Sequence, residues 1–389
     1  MLIKNLAVRG LLSFGPQGVE LPLRPLNVLI GANGSGKSNF LEILSLLRAS
    51  TRSLPTPIKE MGGVRGWFWK GHDAEDHARI EVLVDNPKGQ QPTLRHRIEL
   101  TRHDDRFEVF DEKIENEMPY PGKDEPYFFY SFRRGRPMLK GPKEAEESLP
   151  VDNIIREESI LSQVKDPGLR YPAISQVQKI YESIKLFRNW QFGPSARLRR
   201  EINTAERNDF LSEGGENLAL VISKIKPKIK RELIENLRCL YAGIEDVDIV
   251  IDNGSAQLFL DESGGRQIPA TRLSDGTLRY LCLLAILLHP EDGGVIVIEE
   301  PELGLHPDVI PKIADLIQQA STRMQLVVTT HSRVLIDALG DDPDSVVVCE
   351  KRDGESRFER LERTRLEKWL DRYSLGDLWT SGELGGNRW

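Results

Sequence analysis

Cysteine is scarce in this 389-residue chain, long apolar runs are missing, and basic residues do not outnumber acidic ones. The three cysteines, Cys239, Cys282 and Cys349, are far apart and make no CxxC pair. That spacing excludes a disulfide framework and a zinc knuckle, and fits a reducing, cytoplasmic setting. The greasiest stretch, residues 281–288, is far too short to cross a bilayer and stops at His289-Pro290. Lys4 and Arg9 interrupt the apolar N-terminus, so neither a signal-peptide core nor a membrane partner is expected. With 53 basic against 60 acidic side chains the net charge is −7. A chain basic overall and wrapped around nucleic acid is thereby disfavoured, while local patches stay open. A hydrophobic share of 39% excludes wholesale disorder, and the length allows two or three domains.

What is present is an α/β alternation at both ends of the chain. Residues 26–30 (LNVLI) form a short apolar run that stops at a glycine, as a parallel strand buried on both faces would. Phe40, Ile43, Leu44 and Leu47 then fall on one helical face. In the last third, a nearly all-apolar helix is expected over 278–288 and buried strands over 295–298, 325–329 and 345–349. Val309, Ile310, Ile313, Leu316 and Ile317 mark an amphipathic helix between them. The middle reads differently. Residues 77–84, 93–101 and 106–111 read as strands bounded by turns such as Asn86-Pro87 and Asp104-Asp105. Residues 119–150, rich in Pro, Gly, Lys and Arg, read as irregular, and 175–241 as helical with breaks at Gly193-Pro194 and Gly214-Gly215. A hairpin is expected around Asn253-Gly254. No repeat and no heptad run long enough for a coiled-coil arm is found.

Residues 31–38, GANGSGKS, fit G-x-x-x-x-G-K-S between the strand and helix that such a loop requires. The backbone of Asn33, Gly34, Ser35 and Gly36 would turn N–H groups onto phosphate oxygens. Lys37 would reach the β- and γ-phosphates, and Ser38 would ligate Mg²⁺. Residues 295–302, VIVIEEPE, end a buried strand in carboxylates. Glu299 would hold the metal and Glu300 would act as general base on the attacking water. A solvated acidic turn is the plainer reading of the same residues. His331, after the next strand in VVTTHS, is placed to sense a γ-phosphate, against the commoner role of a satisfied turn histidine. Residues 272–279, RLSDGTLR, open the apolar helix: Ser274 is a good N-cap, and Gly276 leaves room for close backbone approach.

In these residues LSDGT is similar to the ABC signature motif, EEPE to its Walker B motif and TTHS to its switch histidine. Together with the phosphate loop, and in this order, they resemble the ABC-type ATPases of the SMC, RecF and OLD group. EEPELGLHP and residues 211–219 (LSEGGENLA) are similar to stand-alone OLD-like ATPases without an appended nuclease domain. The match rests on residues 1–50 and about 270–352. It implies a P-loop NTPase core of ABC type, split between those ends, with residues 51–269 as a large mixed β/helical lid insertion. The lid would be β-rich over 77–135 and helical over 175–241, with a tail at 353–389. The resemblance further implies ATP and Mg²⁺ as ligands and a head-to-tail homodimer. Lys37, Ser38, Glu299, Glu300 and His331 of one subunit would face Ser274 and Gly276 of the other. Two departures stand out: Glu299 occupies a position where many relatives have Asp, and none of Gln163, Gln176, Gln178 and Gln191 is recognisable as the coupling glutamine.

Lys37 and Ser274 stand 237 positions apart, so the variable material lies between loop and signature. Basic residues gather there: Arg133, Arg134, Arg136 and Lys140; Arg197, Arg199 and Arg200; Lys224, Lys226, Lys228, Lys230 and Arg231. They read either as a phosphate track for DNA or as solvated faces balanced by nearby Glu. Trp369, Trp379 and Trp389 crowd the tail, where they would anchor it to the core or dock a partner. About forty residues follow Cys349, too few for a nuclease domain, so any effector nuclease or toxin is expected on a separate chain.

Overall fold

The computed structural model describes residues 2–85, 92–133, 136–140, 146–148, 154–165, 168, 170–188, 190–290 and 294–386. In chain order the first elements are β1 (Ile3–Arg9), β2 (Val19–Pro22), β3 (Leu26–Ile30), α1 (Lys37–Ala49), α2 (Pro55–Glu60) and α3 (Val64–Trp67). Then come β4 (His77–Val84), β5 (Leu94–His103), β6 (Arg106–Asn116), β7 (Phe128–Arg133), β8 (Arg136–Lys140), β9 (Glu146–Ser148), α4 (Ile160–Gln163) and α5 (Pro172–Glu182). The next are β10 (Lys185–Phe187), β11 (Ile202–Asn203), α6 (Leu218–Lys224), α7 (Pro227–Leu237), β12 (Ile244–Asp252), β13 (Ser255–Glu262), β14 (Arg266–Pro269) and α8 (Asp275–Leu287). The last are β15 (Val295–Glu299), α9 (Ile310–Ala320), β16 (Gln325–Thr329), α10 (Arg333–Asp337), β17 (Val346–Arg352), β18 (Glu355–Arg360), α11 (Arg363–Leu370) and α12 (Leu375–Thr380). Two compact units result. One holds Met1–Ile184, Asp344–Glu362 and Gly382–Trp389; the other holds Lys185–Pro343 and Arg363–Ser381.

The first unit contains an antiparallel sheet in the order β2-β1-β4-β5-β6-β7-β8-β9. Its strands alternate as a half-buried sheet must: Ala78, Ile80, Val82 and Val84 of β4 all point inward. The N-terminal strands β1 and β2 thus share a sheet with the β-rich middle of the chain. That sheet also extends through residues expected to be irregular. β7, β8 and β9 lie within 119–150, and Tyr130, Phe132 and Leu139 are buried on them. β7 and β8 carry too few inward positions for their alternation to show through the surrounding Pro and Gly. The Asn86-Pro87 turn lies outside the described residues.

In the same unit β3 pairs in parallel with β17, which pairs antiparallel with β18. Every residue of β3 is buried. The one polar side chain among them, Asn27, is satisfied: its amide oxygen accepts from Arg24 N at 2.9 Å and Arg360 Nη2 at 2.6 Å, and its Nδ2 donates to the Arg24 carbonyl at 2.7 Å. On α1 the predicted face of Phe40, Ile43, Leu44 and Leu47 is buried.

In the second unit β10, β15 and β16 run parallel, with β15 and β16 reading as apolar runs. α8 buries residues all round, and α9 buries the predicted stripe of Ile310, Ile313, Leu316 and Ile317. The hairpin around Asn253-Gly254 is β12–β13, flanked by β11 and β14 on β13. The expected helical stretch 175–241 is helical only near its ends. The described residues among 185–217 instead hold two short strands, a single 3₁₀ turn and loops. Long-range partners override local preference there, as when Glu213 accepts from Leu186 N at 2.8 Å. The tail is anchored by Leu375 and Leu378 of α12, and Gly376 N donates to Asp337 Oδ1 at 2.6 Å. Trp369 and Tyr373 stay 45% and 51% exposed, and Trp389 lies outside the described residues. Among the described residues no helix is long and apolar enough to cross a membrane.

Cys282 and Cys349 are fully buried, which pushes both thiols up, whereas Cys239 is exposed. Because the thiolate is the reactive species, a maleimide should label one thiol per native chain and three after denaturation. Rapid labelling of a second native thiol would contradict this packing.

Candidate functional site

The phosphate-type loop lies in the first unit. Gly31, directly after β3, adopts φ +145, and a Cβ there would strike the carbonyl of Cys349 on the neighbouring β17. Asn33, Gly34 and Ser38 are exposed along the loop, while Ser35, Gly36 and Lys37 are buried. Lys37, only 6% exposed, donates from Nζ to the Gly31 carbonyl at 2.7 Å and the Ala32 carbonyl at 3.1 Å. α1 starts at Lys37 with Gly36 as N-cap, no side-chain cap and no acidic residue in its first turn. Such a helix start presents backbone donors and a positive dipole end, both suited to an anion. Ser13 braces the loop from below, accepting from Asn39 Nδ2 and from Ser356 Oγ, each at 2.7 Å.

The acidic and histidine motifs lie in the second unit, at the ends of β15 and β16. Glu300 sits at φ +48, unusual for a residue with a side chain, and its N–H donates to the Thr329 carbonyl at 3.0 Å. Strain of this kind gathers at functional sites. Glu300 Oε1 lies 3.7 Å from His331 Nε2, and both side chains are about one-third exposed. The two residues expected to act on water and phosphate are therefore brought together. Glu299, the expected metal ligand, accepts from Arg188 Nε at 2.9 Å.

Glu302 was legible only as part of the motif, yet it organises the histidine loop. Its Oε1 accepts from Thr330 Oγ1 at 2.6 Å, His331 N at 2.9 Å and Ser332 N at 3.1 Å. Ser332 in turn caps α10, accepting from Leu335 N at 3.3 Å. One carboxylate thus fixes the backbone that presents His331. An acidic residue two positions after Glu300 was the available signal, but its partners lie 28 to 30 positions away.

The signature-like segment is also in the second unit. Ser274 is exposed and caps α8, accepting from Thr277 N at 3.1 Å. A Cβ on Gly276 would come within 2.8 Å of the Gly304 carbonyl, so one close approach this glycine allows is to the loop after β15. Two arginines hold these segments. Arg199, read from sequence as one member of a basic cluster, is buried; it donates to the carbonyls of Phe192, Ala270 and Leu273 and pairs with Asp275. Arg279 donates to the Leu303 carbonyl and lies 5.5 Å from the ring centres of Trp190 and Phe192. Burial lowers its pKa, and the charges of Glu302 and Glu300 oppose that shift.

The remaining basic residues divide. Lys230 pairs with Asp246 at 2.8 Å, and Lys140 Nζ sits 3.9 Å over the Phe128 ring. Arg136, Arg197, Arg200, Lys224, Lys226, Lys228 and Arg231 are exposed. Arg134 and the side chain of Arg133 lie outside the described residues.

The fold is the one found in ATPase heads of the ABC type. The chain belongs to the family described as "AAA domain, putative AbiEii toxin, Type IV TA system", which it matches over residues 26–337. Similar solved structures are SMC head domains. One, an SMC head bound to the C-winged helix domain of ScpA, is 17% identical, with 94% of this chain and 99% of that one covered at a TM-score of 0.59. A second, with an extended coiled coil and bound to the C-terminal domain of ScpA derived from Pyrococcus furiosus, is 14% identical, covering 95% and 99% at 0.57. A third, with a coiled coil and joint derived from Pyrococcus yayanosii, is 12% identical, covering 95% and 99% at 0.53. At these identities the likeness is one of fold.

Replacing Glu302 by Ala removes the acceptor shared by the Thr330, His331 and Ser332 donors. Local opening should become easier by about 1–3 kcal/mol, or roughly 5- to 150-fold faster amide exchange at His331 and Ser332. Glu302→Gln keeps an acceptor oxygen and should stay near wild type. Unchanged exchange in the Ala variant would contradict the role given to this carboxylate.

Proposed function

We propose that this chain binds ATP with Mg²⁺, hydrolyses it, and closes head to tail on a second copy around the nucleotide. The observation that carries the reading is the Glu300–His331 pair at 3.7 Å, in a chain of this family that also carries the phosphate-loop and signature-like motifs. The residues fit the ligands. Exposed Asn33, Gly34 and Ser38, an uncapped helix start and the adjacent Lys37 make a cradle for phosphate oxygens. Ser38 and Glu299 offer the oxygen donors that Mg²⁺ prefers, and metal at Glu299 would displace the cation Arg188. Bound Mg²⁺ supplies neutralisation of charge on the phosphate oxygens.

In this reading the backbone of Asn33, Gly34, Ser35 and Gly36 grips the phosphates, and Lys37 exchanges loop carbonyls for the β- and γ-oxygens. Glu300 takes the proton of the attacking water, and His331 hydrogen-bonds the γ-phosphate. Ser274 and Gly276 act in trans from the second copy; the exposed Ser274 hydroxyl keeps hydrogen-bonding capacity beyond its N-cap bond. Residues 51–269 serve as the insertion that sets this ATPase apart from shorter cassettes.

We further propose a cytoplasmic motor or sensor subunit of a DNA-associated system, in DNA maintenance or anti-phage defence. The second reading is a nucleotide-gated scaffold that controls a separate nuclease or toxin without touching DNA. Two observations favour it: Arg199 is buried among carbonyls and Lys230 is paired, which thins the basic track. The family description names a toxin of a toxin–antitoxin system, and two of the similar SMC heads are solved with ScpA domains.

Glu300→Gln should lower ATP turnover by about 10²–10⁴-fold, the range for losing a general base, while ATP stays bound and a dimer accumulates. Turnover equal to wild type would sink the assignment. A salt titration of DNA binding separates the two roles: contact with several phosphates requires log K to fall steeply with log[salt], whereas the scaffold reading predicts no DNA binding above background.

A further inference from the structure

We propose that the C-terminal Gly385-Gly386 segment straps the phosphate loop and sets the position of Lys37, a role that rests on the ATP-binding reading above. The Gly386 carbonyl accepts from Ala32 N–H at 2.7 Å. That N–H belongs to the Gly31–Ala32 peptide, whose carbonyl accepts from Lys37 Nζ at 2.7 Å. One peptide unit is therefore held on its donor side by the tail and on its acceptor side by the phosphate-binding lysine. A rotation of this peptide would move both partners, and donation from its N–H strengthens its carbonyl as an acceptor.

The strap is itself fixed. Gly386 N donates to Glu350 Oε1 at 2.6 Å, and Glu350 Oε2 is held by Arg352 Nη2 at 2.6 Å and Nε at 2.7 Å. Glu350 lies on β17, two residues past Val348, which pairs with Ile30 at the end of β3. It therefore emerges beside the start of the loop. Gly386 has φ +75, and a Cβ there would meet Val348 Cγ1 at 2.9 Å and the Gly31 Cα at 3.4 Å. A side chain is thus excluded on both conformational and steric grounds. Glu350 acts as a positioning residue: through Gly386 it fixes the peptide on which Lys37 rests, without a phosphate contact of its own.

The test is ATP affinity with Mg²⁺, measured by calorimetry on the full chain, in wild type, Glu350→Ala, Glu350→Gln and Gly386→Ala. Glu350→Ala and Gly386→Ala should weaken binding roughly three- to tenfold, the worth of one net hydrogen bond, with kcat at saturating ATP changed less than KM. Glu350→Gln retains the acceptor for Gly386 N but not the one for Arg352, and should bind more tightly than Glu350→Ala. In a Lys37→Ala background, Glu350→Ala should cause no further loss, because its effect passes through Lys37. Wild-type binding in both Glu350→Ala and Gly386→Ala overturns the strap, and so does a loss that adds fully to that of Lys37→Ala. Wild-type protein that fails to bind ATP overturns the underlying reading and the strap with it.

Discussion

A strand buried on both faces has room for charge only where it ends, and that constraint arranges the chemistry of this chain. β3, β15 and β16 are short, apolar and almost wholly buried. Each releases its polar residues at its C-terminal end: the glycine loop to Lys37 and Ser38 after β3, the carboxylates from Glu299 to Glu302 at the end of β15, and Thr330 to Ser332 after β16. The only polar side chain inside β3, Asn27, is tolerated because Arg24 and Arg360 satisfy its amide.

Loops left at strand ends need support, and buried or half-buried ion and hydrogen-bond partners supply it. Glu302 holds the backbone of the histidine loop, Arg279 holds the Leu303 carbonyl, and Arg199 ties the segment before α8. These groups touch backbone carbonyls and amides, and so fix the chain that carries the proposed site residues. They also alter the meaning of charge along the sequence. An arginine enclosed by four backbone carbonyls contributes nothing to a surface track, however many basic neighbours it has in sequence. The net −7 therefore leaves fewer exposed cations than the residue clusters imply.

The elements that carry motifs were legible because their signals are local. An apolar run ending in GANGSGKS, a second ending in EEPE and a third ending in TTHS each announce a strand and the loop beyond it, and β3, β15 and β16 lie there. The Glu300–His331 contact arises because β15 and β16 are neighbours in the parallel sheet and end side by side. What stayed hidden depends on partners distant in sequence. β7 and β8 carry too few buried positions to display alternation, and residues 185–217 exchange helical preference for contacts such as Glu213 with Leu186. The roles of Arg188, Arg199, Arg279 and Glu302 are set across tens of residues, as is the return of Gly386 to Ala32. Among the described tail residues Leu375 and Leu378 are buried, Trp379 is half-buried and Trp369 is exposed, a division that local composition does not show.

In the proposed mechanism Glu300 and His331 work as one unit on the γ-phosphate. A double-mutant cycle on ATP turnover, with Glu300→Gln, His331→Ala and the combined variant, measures that coupling directly. Residues acting together should give a coupling energy of about 0.5–3 kcal/mol, so that the double variant is less impaired than the two single losses combined. Fully additive losses, or an active Glu300→Gln enzyme, would contradict it.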